Sequence, residues 1–199
     1  MKRVAVLASG RGSNLAALLR AQAEYSSFRV VLAVSNVEGS GALSLGRDAF
    51  VEAACVPSRG VGRDAHERAL LDLLASRNVD VVCLAGYMRV LTPVFIGGFS
   101  GPILNIHPSL LPAFPGMHAQ KQALDAGVRW SGATVHFVDT GLDTGPILLQ
   151  EPVRVHPDDT EGTLSARILA TEHRLYPQAV DITARGAYEL NGRTVRLLT

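Results

Sequence analysis

From Gly101 to Pro112 the chain reads GPILNIHPSLLP, an apolar run that gives way to a segment rich in proline. The apolar run, Ile103 to Ile106, is short and flanked by prolines, which predicts a buried strand of a parallel sheet. Pro108 and Pro112 lack a backbone donor and bias the residues before them towards extended conformations, so the strand should end at His107. In an open α/β sheet, ligands bind at the carboxyl ends of the strands, and we therefore expect a ligand site here.

Asn105 and His107 are candidate catalytic residues. They lie two residues apart on the predicted strand, so both side chains are expected on the same face. An amide and an imidazole side by side could polarise a carbonyl group and stabilise the oxyanion that forms when it is attacked. A purely structural hydrogen bond between the two side chains is the alternative.

A second candidate site lies near the N-terminus, where a predicted strand at 4–8 leads into the glycine-rich turn Ser9-Gly10-Arg11-Gly12-Ser13 and a predicted helix at 14–23. Free backbone N–H groups at the start of a helix bind anions, and glycine allows close approach of a ligand. The pattern is incomplete as a dinucleotide fingerprint, because Leu15 replaces the third glycine and the next predicted strand ends without a carboxylate. The turn therefore favours a phosphate of a mononucleotide-like ligand over NAD, with tight strand-to-helix packing as the alternative role.

The rest of the chain alternates between strand and helix patterns, which predicts an α/β fold: an open, mostly parallel twisted sheet with helices on both faces. Further strands are predicted at 29–34, 53–56, 80–85, 131–138 and 147–155, and further helices at 39–49, 63–75, 94–99 and 118–126. Asp158-Asp159-Thr160 predicts the cap of a long final helix with a break or kink at Pro177, and residues 186–199 predict a hairpin. No linker or repeat interrupts this order, so we expect one domain over residues 1–199.

The loop Asp139-Thr140-Gly141-Leu142-Asp143 follows a predicted strand and carries two acidic residues. Asp143 is the candidate third catalytic group, because a carboxylate near His107 could pair with an imidazolium and accept a proton. A calcium loop is the rival interpretation, but the spacing and the terminal Glu of an EF-hand are missing.

Two other segments carry candidate ligand-binding residues. The backbone of Arg89 to Leu91 follows a predicted strand and would be available to the donors and acceptors of a planar heterocycle, although Met88 and Leu91 could instead be core residues. Arg63, at the start of a predicted helix, could reach a ligand carboxylate or could be a solvated surface charge. We expect His66 of the same helix to lie at the surface.

Composition excludes several classes of function. The chain has 199 residues, of which 47% are hydrophobic and 19% charged. Its formal net charge is +1, so it lacks the excess of positive charge that is typical of proteins that bind nucleic acid. Cys55 and Cys83 lie in separate apolar runs without CxxC spacing, so both are expected to be reduced core residues. The first apolar run is too short for a signal peptide or a membrane span. We therefore expect a cytoplasmic protein that binds small molecules rather than nucleic acid or membranes. Its oligomeric state, monomer or homodimer, does not follow from the sequence.

Several segments, in order along nearly the whole chain, together resemble the phosphoribosylglycinamide formyltransferase family, which uses a formylated folate in purine synthesis. The segments are Ser9-Gly10-Arg11-Gly12-Ser13-Asn14, Ala85-Gly86-Tyr87-Met88-Arg89, Asn105 to Pro112, Pro115-Gly116 with His118, and Val135-His136-Phe137-Val138 leading to Asp143-Thr144-Gly145-Pro146. The Asn105 to Pro112 segment with a downstream Asp marks the wider group of formyltetrahydrofolate-using enzymes. The glycine-rich turn with Ser13-Asn14 narrows the resemblance to this family.

The resemblance implies a Rossmann-like formyltransferase fold and transfer of the formyl group of 10-formyltetrahydrofolate to the amine of 5-phosphoribosylglycinamide, without a metal. It implies a phosphate-binding half over about 1–100, a catalytic and folate-binding half over about 101–185, and a short tail. The implied catalytic residues are Asn105, His107 and Asp143, and the implied substrate-binding residues are Gly12, Ser13 and Asn14 for the phosphate and Glu172 for the ribose. The implied folate-binding residues are Arg63, Met88, Arg89, Val90, Leu91 and Asn105, with Asp139, Thr140, Gly141, Leu142 and Asp143 closing over the pterin. His118 and His136 are implied as supporting residues of the site.

Two positions depart from the family pattern. Relatives often carry a polar residue at the position of Leu169, so a substrate contact from there is not expected. Tyr87 stands where Phe is common, a change that we expect to be tolerated.

Three other functions fit the sequence less well. A methionyl-tRNA formyltransferase would need a nucleic-acid-binding domain after residue 199 and would usually place Arg-Gly where Phe114-Pro115-Gly116 stands. A formyltetrahydrofolate hydrolase would need an additional domain before the first strand. A non-catalytic nucleotide-binding module would keep the glycine-rich turn but would leave the set of Asn105, His107 and Asp143 unexplained.

Overall fold

The computed structural model of the chain describes residues 1–198, so Thr199, the last residue of the predicted tail, lies outside the described residues. Strands and helices alternate along most of this length, as the sequence pattern predicts. The strands are β1 (Lys2–Leu7), β2 (Phe28–Ser35), β3 (Glu52–Cys55), β4 (Val81–Leu84), β5 (Ile103–His107), β6 (Trp130–Phe137), β7 (Ile147–Arg154), β8 (Tyr188–Asn191) and β9 (Thr194–Leu197). The helices are α1 (Ser13–Ala21), α2 (Gly41–Asp48), α3 (Arg63–Ser76), α4 (Pro93–Gly98), α5 (Ala119–Asp125) and α6 (Glu161–Arg185).

Seven strands form one open sheet in the order β3-β2-β1-β4-β5-β6-β7. Strands β1 to β5 pair in parallel, whereas β6 is antiparallel to β5 and β7 is antiparallel to β6. The predicted open, mostly parallel sheet is therefore confirmed. The predicted C-terminal hairpin is also present, as the separate pair β8-β9.

The register between β5 and β6 brings three site positions to one edge of the sheet. Asn105 lies opposite His136, and His107 lies opposite Thr134. Residues directly opposite each other in an antiparallel pair present their side chains on the same face, about 5 Å apart. The reversal of chain direction at β6 therefore places His136 beside Asn105.

Each face of the sheet is covered by its own hydrophobic core, as alternating strand residues require. Val4 and Val6 of β1 pack with α1 and α6 on one face, and Ala5 and Leu7 pack with α3 and α4 on the other. This arrangement confirms the prediction of helices on both faces. It also leaves the carboxyl ends of β1, β4 and β5 uncovered between the two layers of helices.

Helix α6 is the longest element and packs on the sheet mainly against the antiparallel strands β6 and β7. Thr160 caps its N-terminus by accepting a hydrogen bond from the N–H of Thr163, as the sequence predicts. No break occurs at Pro177, because the helix continues through it to Arg185, whereas the alternative of a kink at this residue stays a prediction. Pro177 removes one backbone hydrogen bond, but its neighbours Tyr176 and Val180 are fully buried, and this packing holds the helix together.

No helix in residues 1–198 combines the length and the apolar character that a membrane crossing requires.

Tyr176 ties α6 to the strands beneath it. Its ring is fully buried, and its hydroxyl lies 2.9 Å from the carbonyl of Leu84 and 3.2 Å from that of Leu104. Burial raises the pKa of this phenol well above its ordinary value, so the hydroxyl stays protonated and can donate to either carbonyl.

Replacing Tyr176 by Phe is expected to lower the free energy of unfolding by about 1–3 kcal/mol, because the carbonyls of Leu84 and Leu104 lose a buried donor. Urea denaturation followed by circular dichroism measures the change. Tyr25→Phe is the matched control, since the Tyr25 hydroxyl makes no hydrogen bond within residues 1–198 and its half-buried ring keeps its stacking on Phe28. An equal loss in both variants would contradict the role of the Tyr176 hydroxyl.

Two sequence-based expectations about burial are wrong. His66 was expected at the surface but is buried, because α3 turns this side chain towards the sheet. Cys55 was expected in the core but is exposed, because it ends the edge strand β3, whose outer side has no neighbour in the described chain. Cys83 on the central strand β4 is buried as predicted, and both thiols are free.

Candidate active site

A cleft of about 680 Å³ opens at the carboxyl ends of β1, β4 and β5. Its walls come from the turn after β1, the loop after β4, the end of β5 and the loop after β6. This is the part of an open α/β sheet where ligands bind, because the loops diverge there and leave free backbone groups.

The cleft brings most of the predicted site residues together. Those that line it are Gly12, Ser13, Asn14, Met88, Arg89, Val90, Leu91, Asn105, His107, His118, His136, Asp139, Gly141, Leu142, Asp143 and Glu172. Arg63 and Thr140 are exposed and do not line it. Arg63 is the first residue of α3, and Thr140 lies in the loop after β6.

The imidazole of His107 is held between a carbonyl and a carboxylate. Its Nε2 lies 2.8 Å from the carbonyl oxygen of Phe114. Because a carbonyl only accepts hydrogen bonds, Nε2 carries the hydrogen in this arrangement. Its Nδ1 lies 3.4 Å from Oδ2 of Asp143, so the second nitrogen faces the carboxylate inside the cleft.

His136 orients the amide of Asn105. Nδ1 of His136 lies 2.9 Å from the carbonyl oxygen of Phe137 and therefore donates, which leaves Nε2 as an acceptor. The amide nitrogen of Asn105 donates to this Nε2 at 3.1 Å. Burial lowers the pKa of His136, which keeps the ring neutral and preserves its acceptor nitrogen.

Asp143 connects the loop after β6 to the rest of the site. Its Oδ2 accepts a hydrogen bond of 2.7 Å from the backbone N–H of Gly116, and its Oδ1 lies 3.5 Å from the amide nitrogen of Asn105. The carboxylate thus lies near His107, as predicted from the sequence, and also near Asn105. Asp143 has a φ of 53°, in the left-handed region that aspartate tolerates better than most side chains.

Left-handed backbone conformations recur around the cleft. Phe114 and His118, like Asp143, have positive φ values, of 55° and 59°. Such conformations persist where surrounding contacts hold them, and they concentrate at ligand sites. Here the carbonyl of Phe114 meets His107, while His118 lines the cleft at the start of α5.

The proline-rich segment after β5 is fixed by Thr134 of β6. The Thr134 hydroxyl donates to the carbonyl of Ser109 at 2.7 Å and accepts from the N–H of Leu111 at 3.2 Å. The peptide bond between Leu111 and Pro112 is cis. These contacts define the path of the chain between His107 and Phe114, and therefore the orientation of the His107 ring.

The glycine-rich turn delivers α1 to the cleft with an open N-terminus. Gly12 has a φ of 84°, and no side chain in residues 1–198 caps this helix. A Cβ atom at Gly12 would lie 2.8 Å from Cα of Ala42, so the position accepts glycine alone without a shift of the backbone. The free N–H groups at the start of α1 therefore face the cleft and can donate hydrogen bonds to an anion.

Asn14 and Glu172 form a buried pair beside this helix start. Nδ2 of Asn14 donates to Oε2 of Glu172 at 2.7 Å, whereas Oδ1 of Asn14 has no partner within residues 1–198. Burial raises the pKa of Glu172, and the hydrogen bond from Asn14 opposes this effect. A ligand with hydroxyl groups would supply hydrogen-bond donors to Oδ1 of Asn14 and to the carboxylate of Glu172.

The loop from Gly86 to Leu91 presents unpaired backbone groups and apolar side chains. The N–H groups of Val90 and Leu91 donate no hydrogen bond within residues 1–198. Met88 and Val90 are 65% and 52% exposed, and Met117 and Leu142 on the facing wall are 68% and 54% exposed. Exposed apolar side chains grouped at a cleft mark a surface that buries a partner molecule.

Sequence reasoning missed the residues that support this loop. The Ser9 hydroxyl accepts from the N–H of Met88 at 2.8 Å and donates to Asn36 at 2.6 Å. His66 and Glu67 contact Tyr87 and Thr92 at either side of the loop. A polar residue directly after a strand was the available signal for Ser9, whereas the inward direction of His66 and Glu67 has no signal in the local sequence.

Among residues 1–198, no cluster of three or more His, Cys, Asp or Glu side chains is arranged to hold a metal ion.

A sequence model of the family described as Formyl transferase matches residues 2–180. The chain belongs to the formyl transferase family. The match includes every site residue described above.

Two named relatives narrow the place of the chain within this family. It is 44% identical over 196 residues to a phosphoribosylglycinamide formyltransferase of Mycobacterium tuberculosis, covering 98% of this chain and 91% of the relative. It is also 44% identical over 189 residues to the trifunctional purine biosynthetic protein adenosine-3 of Drosophila melanogaster, covering 93% of this chain. The chain spans 14% of the length of that trifunctional relative.

The solved structures agree. The crystal structure of glycinamide ribonucleotide transformylase 1 from Symbiobacterium toebii superposes with a TM-score of 0.97 at 46% identity, covering 100% of this chain and 95% of that one. The resemblance to phosphoribosylglycinamide formyltransferases drawn from the sequence is therefore confirmed, and so is the fold class.

Proposed function

We propose that the protein transfers the formyl group of 10-formyltetrahydrofolate to the amine of 5-phosphoribosylglycinamide. The observation that carries this proposal is the convergence of Asn105, His107 and Asp143 in the cleft that also receives the open N-terminus of α1. One cleft thus offers a set of side chains suited to acyl transfer and a binding site for a phosphorylated substrate. The names of the relatives support the same reaction.

The phosphate of the ribonucleotide binds at the start of α1. Gly12, Ser13 and Asn14 offer backbone N–H groups there, and no acidic side chain occupies the first turn of α1 to compete for them. The carboxylate of Glu172, 2.7 Å from Asn14, accepts hydrogen bonds from ribose hydroxyls. Leu169, one turn earlier on α6, lines the same wall as an apolar surface.

The folate binds across the loop from Met88 to Leu91. The N–H groups of Val90 and Leu91, which have no partner in the described part of the chain, suit the acceptor atoms of a pterin ring. The exposed side chains of Met88, Leu142 and Met117 suit its faces. The loop from Asp139 to Asp143 closes the other side, with the side chain of Asp139 accepting hydrogen bonds from Gly141 and Thr144. Arg63 is exposed outside the cleft, so a contact with the folate tail needs a ligand that extends beyond the walls.

The bound folate supplies the formyl group that the amine attacks. Asn105 donates an N–H to the developing oxyanion, since its contact with Asp143 is 3.5 Å long and is readily exchanged for a ligand. His107, with Nε2 fixed on the carbonyl of Phe114, presents Nδ1 to the same region. Asp143 accepts the proton that the amine loses, directly or through a water molecule. The bond between the formyl carbon and N10 of the folate then breaks, and N10 takes up a proton as tetrahydrofolate leaves.

The direct test is a formyl transfer assay with purified protein, 5-phosphoribosylglycinamide and 10-formyltetrahydrofolate, monitored by formation of tetrahydrofolate and of the formylated product. We expect turnover that depends on both substrates and is unaffected by chelators. Binding of the ribonucleotide without any formyl transfer would favour a nucleotide-binding module and overturn the proposal.

Replacing Gly12 by Ala is expected to raise KM for 5-phosphoribosylglycinamide by about tenfold or more. The new Cβ would meet the backbone of Ala42, and the left-handed conformation costs about 1–2 kcal/mol for a residue other than glycine, so the turn must shift away from the phosphate. Steady-state kinetics measures KM for each substrate separately. Gly97→Ala is the control, because a Cβ there meets nothing within 4 Å. A parallel rise in KM for the folate would contradict the assignment of this turn to the phosphate.

A further inference from the structure

His66 and Glu67 are neighbouring residues of α3, and each holds one side of the loop that runs from Gly86 to Leu91. Both side chains are buried, with 2% of their surface exposed. Neither lines the cleft, so neither can touch a ligand bound there. The pair contacts the loop from beneath, on the side away from the site.

His66 holds the first half of the loop through Tyr87. Nδ1 of His66 lies 3.2 Å from the carbonyl oxygen of Pro57 and donates to it, which leaves Nε2 to accept from the Tyr87 hydroxyl at 2.7 Å. Burial lowers the pKa of His66, so the ring stays neutral and keeps this acceptor. The carbonyl of Tyr87 in turn accepts from the N–H of Arg89 at 2.9 Å.

Glu67 holds the residue after the loop. One carboxylate oxygen accepts the backbone N–H of Thr92 at 2.9 Å, and the other accepts the Thr92 hydroxyl. Thr92 also caps α4 by accepting from the N–H of Val94. Glu67 therefore fixes the point where the loop ends and α4 begins.

The stretch between these anchors has little support of its own. Met88 and Val90 are mostly exposed, and the N–H groups of Val90 and Leu91 are unpaired within residues 1–198. A bidentate carboxylate and a buried hydroxyl–imidazole pair are strong constraints by comparison. The two anchors therefore set the positions of the backbone groups that face the cleft.

We propose that His66 and Glu67 are positioning residues that hold the Gly86 to Leu91 loop in the conformation that binds the folate. This inference rests on the proposed function, since it assumes that the folate is the ligand of the loop. It assigns to α3 a contribution through its buried face, in addition to the exposed Arg63 that the sequence analysis selected on the same helix.

The test compares Glu67→Ala, Glu67→Gln and Tyr87→Phe with the parent protein. Glu67→Ala is expected to raise KM for 10-formyltetrahydrofolate by about tenfold and to leave KM for 5-phosphoribosylglycinamide unchanged, because a charged hydrogen-bond acceptor is lost on the folate side alone. Glu67→Gln keeps an acceptor for the Thr92 N–H and is expected to restore most of the affinity. Tyr87→Phe removes one neutral hydrogen bond and should raise the same KM by about threefold. Asp72→Ala, an exposed acid on the same helix, is the matched control.

Amide hydrogen exchange provides a second readout that does not depend on turnover. Peptides covering residues 86–92 are expected to exchange about tenfold faster in Glu67→Ala, while peptides from β1 and α6 keep their parent rates. If the parent protein transfers no formyl group, the proposed function fails, and the exchange data alone then decide whether the anchors exist. If the parent is active and Glu67→Ala raises both KM values equally, or leaves loop exchange unchanged, the positioning role is overturned.

Discussion

Replacing Asp143 by Asn is expected to lower kcat for formyl transfer by about 10²–10⁴, the range in which positioned acid or base groups contribute, with KM for the folate changed by less than about threefold. Asparagine has the shape of aspartate and tolerates the left-handed backbone found at this position, so the loop should keep its path. Its side-chain oxygen can still accept the N–H of Gly116. What the variant loses is the negative charge beside His107 and the capacity to take a proton. Steady-state kinetics with both substrates separates kcat from KM.

Asp125→Asn is the control for this prediction, because Asp125 is an exposed residue of α5 paired with Lys121 and lies outside the cleft. Its kinetics should match those of the parent protein. Undiminished turnover of Asp143→Asn would contradict proton transfer by Asp143. A large rise in folate KM at constant kcat would instead assign Asp143 to binding.

Replacing Asn105 by Asp is expected to lower kcat/KM by about 10²–10³, the cost of losing one donor to an oxyanion. The substitution preserves size and should leave β5 intact, but it replaces the donating amide by a second carboxylate within 3.5 Å of Asp143. Two carboxylates at this distance repel each other and share a proton. The donor to Nε2 of His136 is lost as well.

Two measurements bear on that prediction. Activity as a function of pH should show the variant gaining relative to the parent under acidic conditions, because protonation of one carboxyl restores a donor. Asn191→Asp, in the C-terminal hairpin, controls for the added charge. Parent-like activity in Asn105→Asp at neutral pH would show that no donor is needed from this residue.

The sheet and its helices could be predicted from the sequence because their signals are local. The Ile103–His107 strand, the glycine-rich turn before α1 and the Thr160 cap each depend on residues within a few positions of one another. The break considered at Pro177 does not occur, because the helix-breaking tendency of proline is overcome by the burial of Tyr176 and Val180, which depends on distant strands. The division into a phosphate-binding half and a catalytic half stays a prediction.

The candidate site was predictable where a residue type carries its own chemistry. Asn105, His107 and Asp143 were selected for that reason, and the structure brings them into one cleft. The supporting residues were not predictable, because their role depends on the direction in which each side chain points. His66 and Glu67 have the sequence pattern of a solvated helix face, yet α3 turns them towards Tyr87 and Thr92. Arg63 is the opposite case. Its residue type suits a ligand carboxylate, but the side chain lies outside the walls of the cleft.

One register pairs Asn105 with His136 and His107 with Thr134. Both the packing of the sheet and the geometry of the site depend on this register. Slipping β6 by a single position would turn Val135 to the cleft and bury His136 in the core, since neighbouring strand residues face opposite sides. A one-residue insertion or deletion within this ladder would therefore damage folding and chemistry together. Changes in length should be tolerated better at the exposed residues Ala126 and Gly127, which precede β6 and lie outside this ladder.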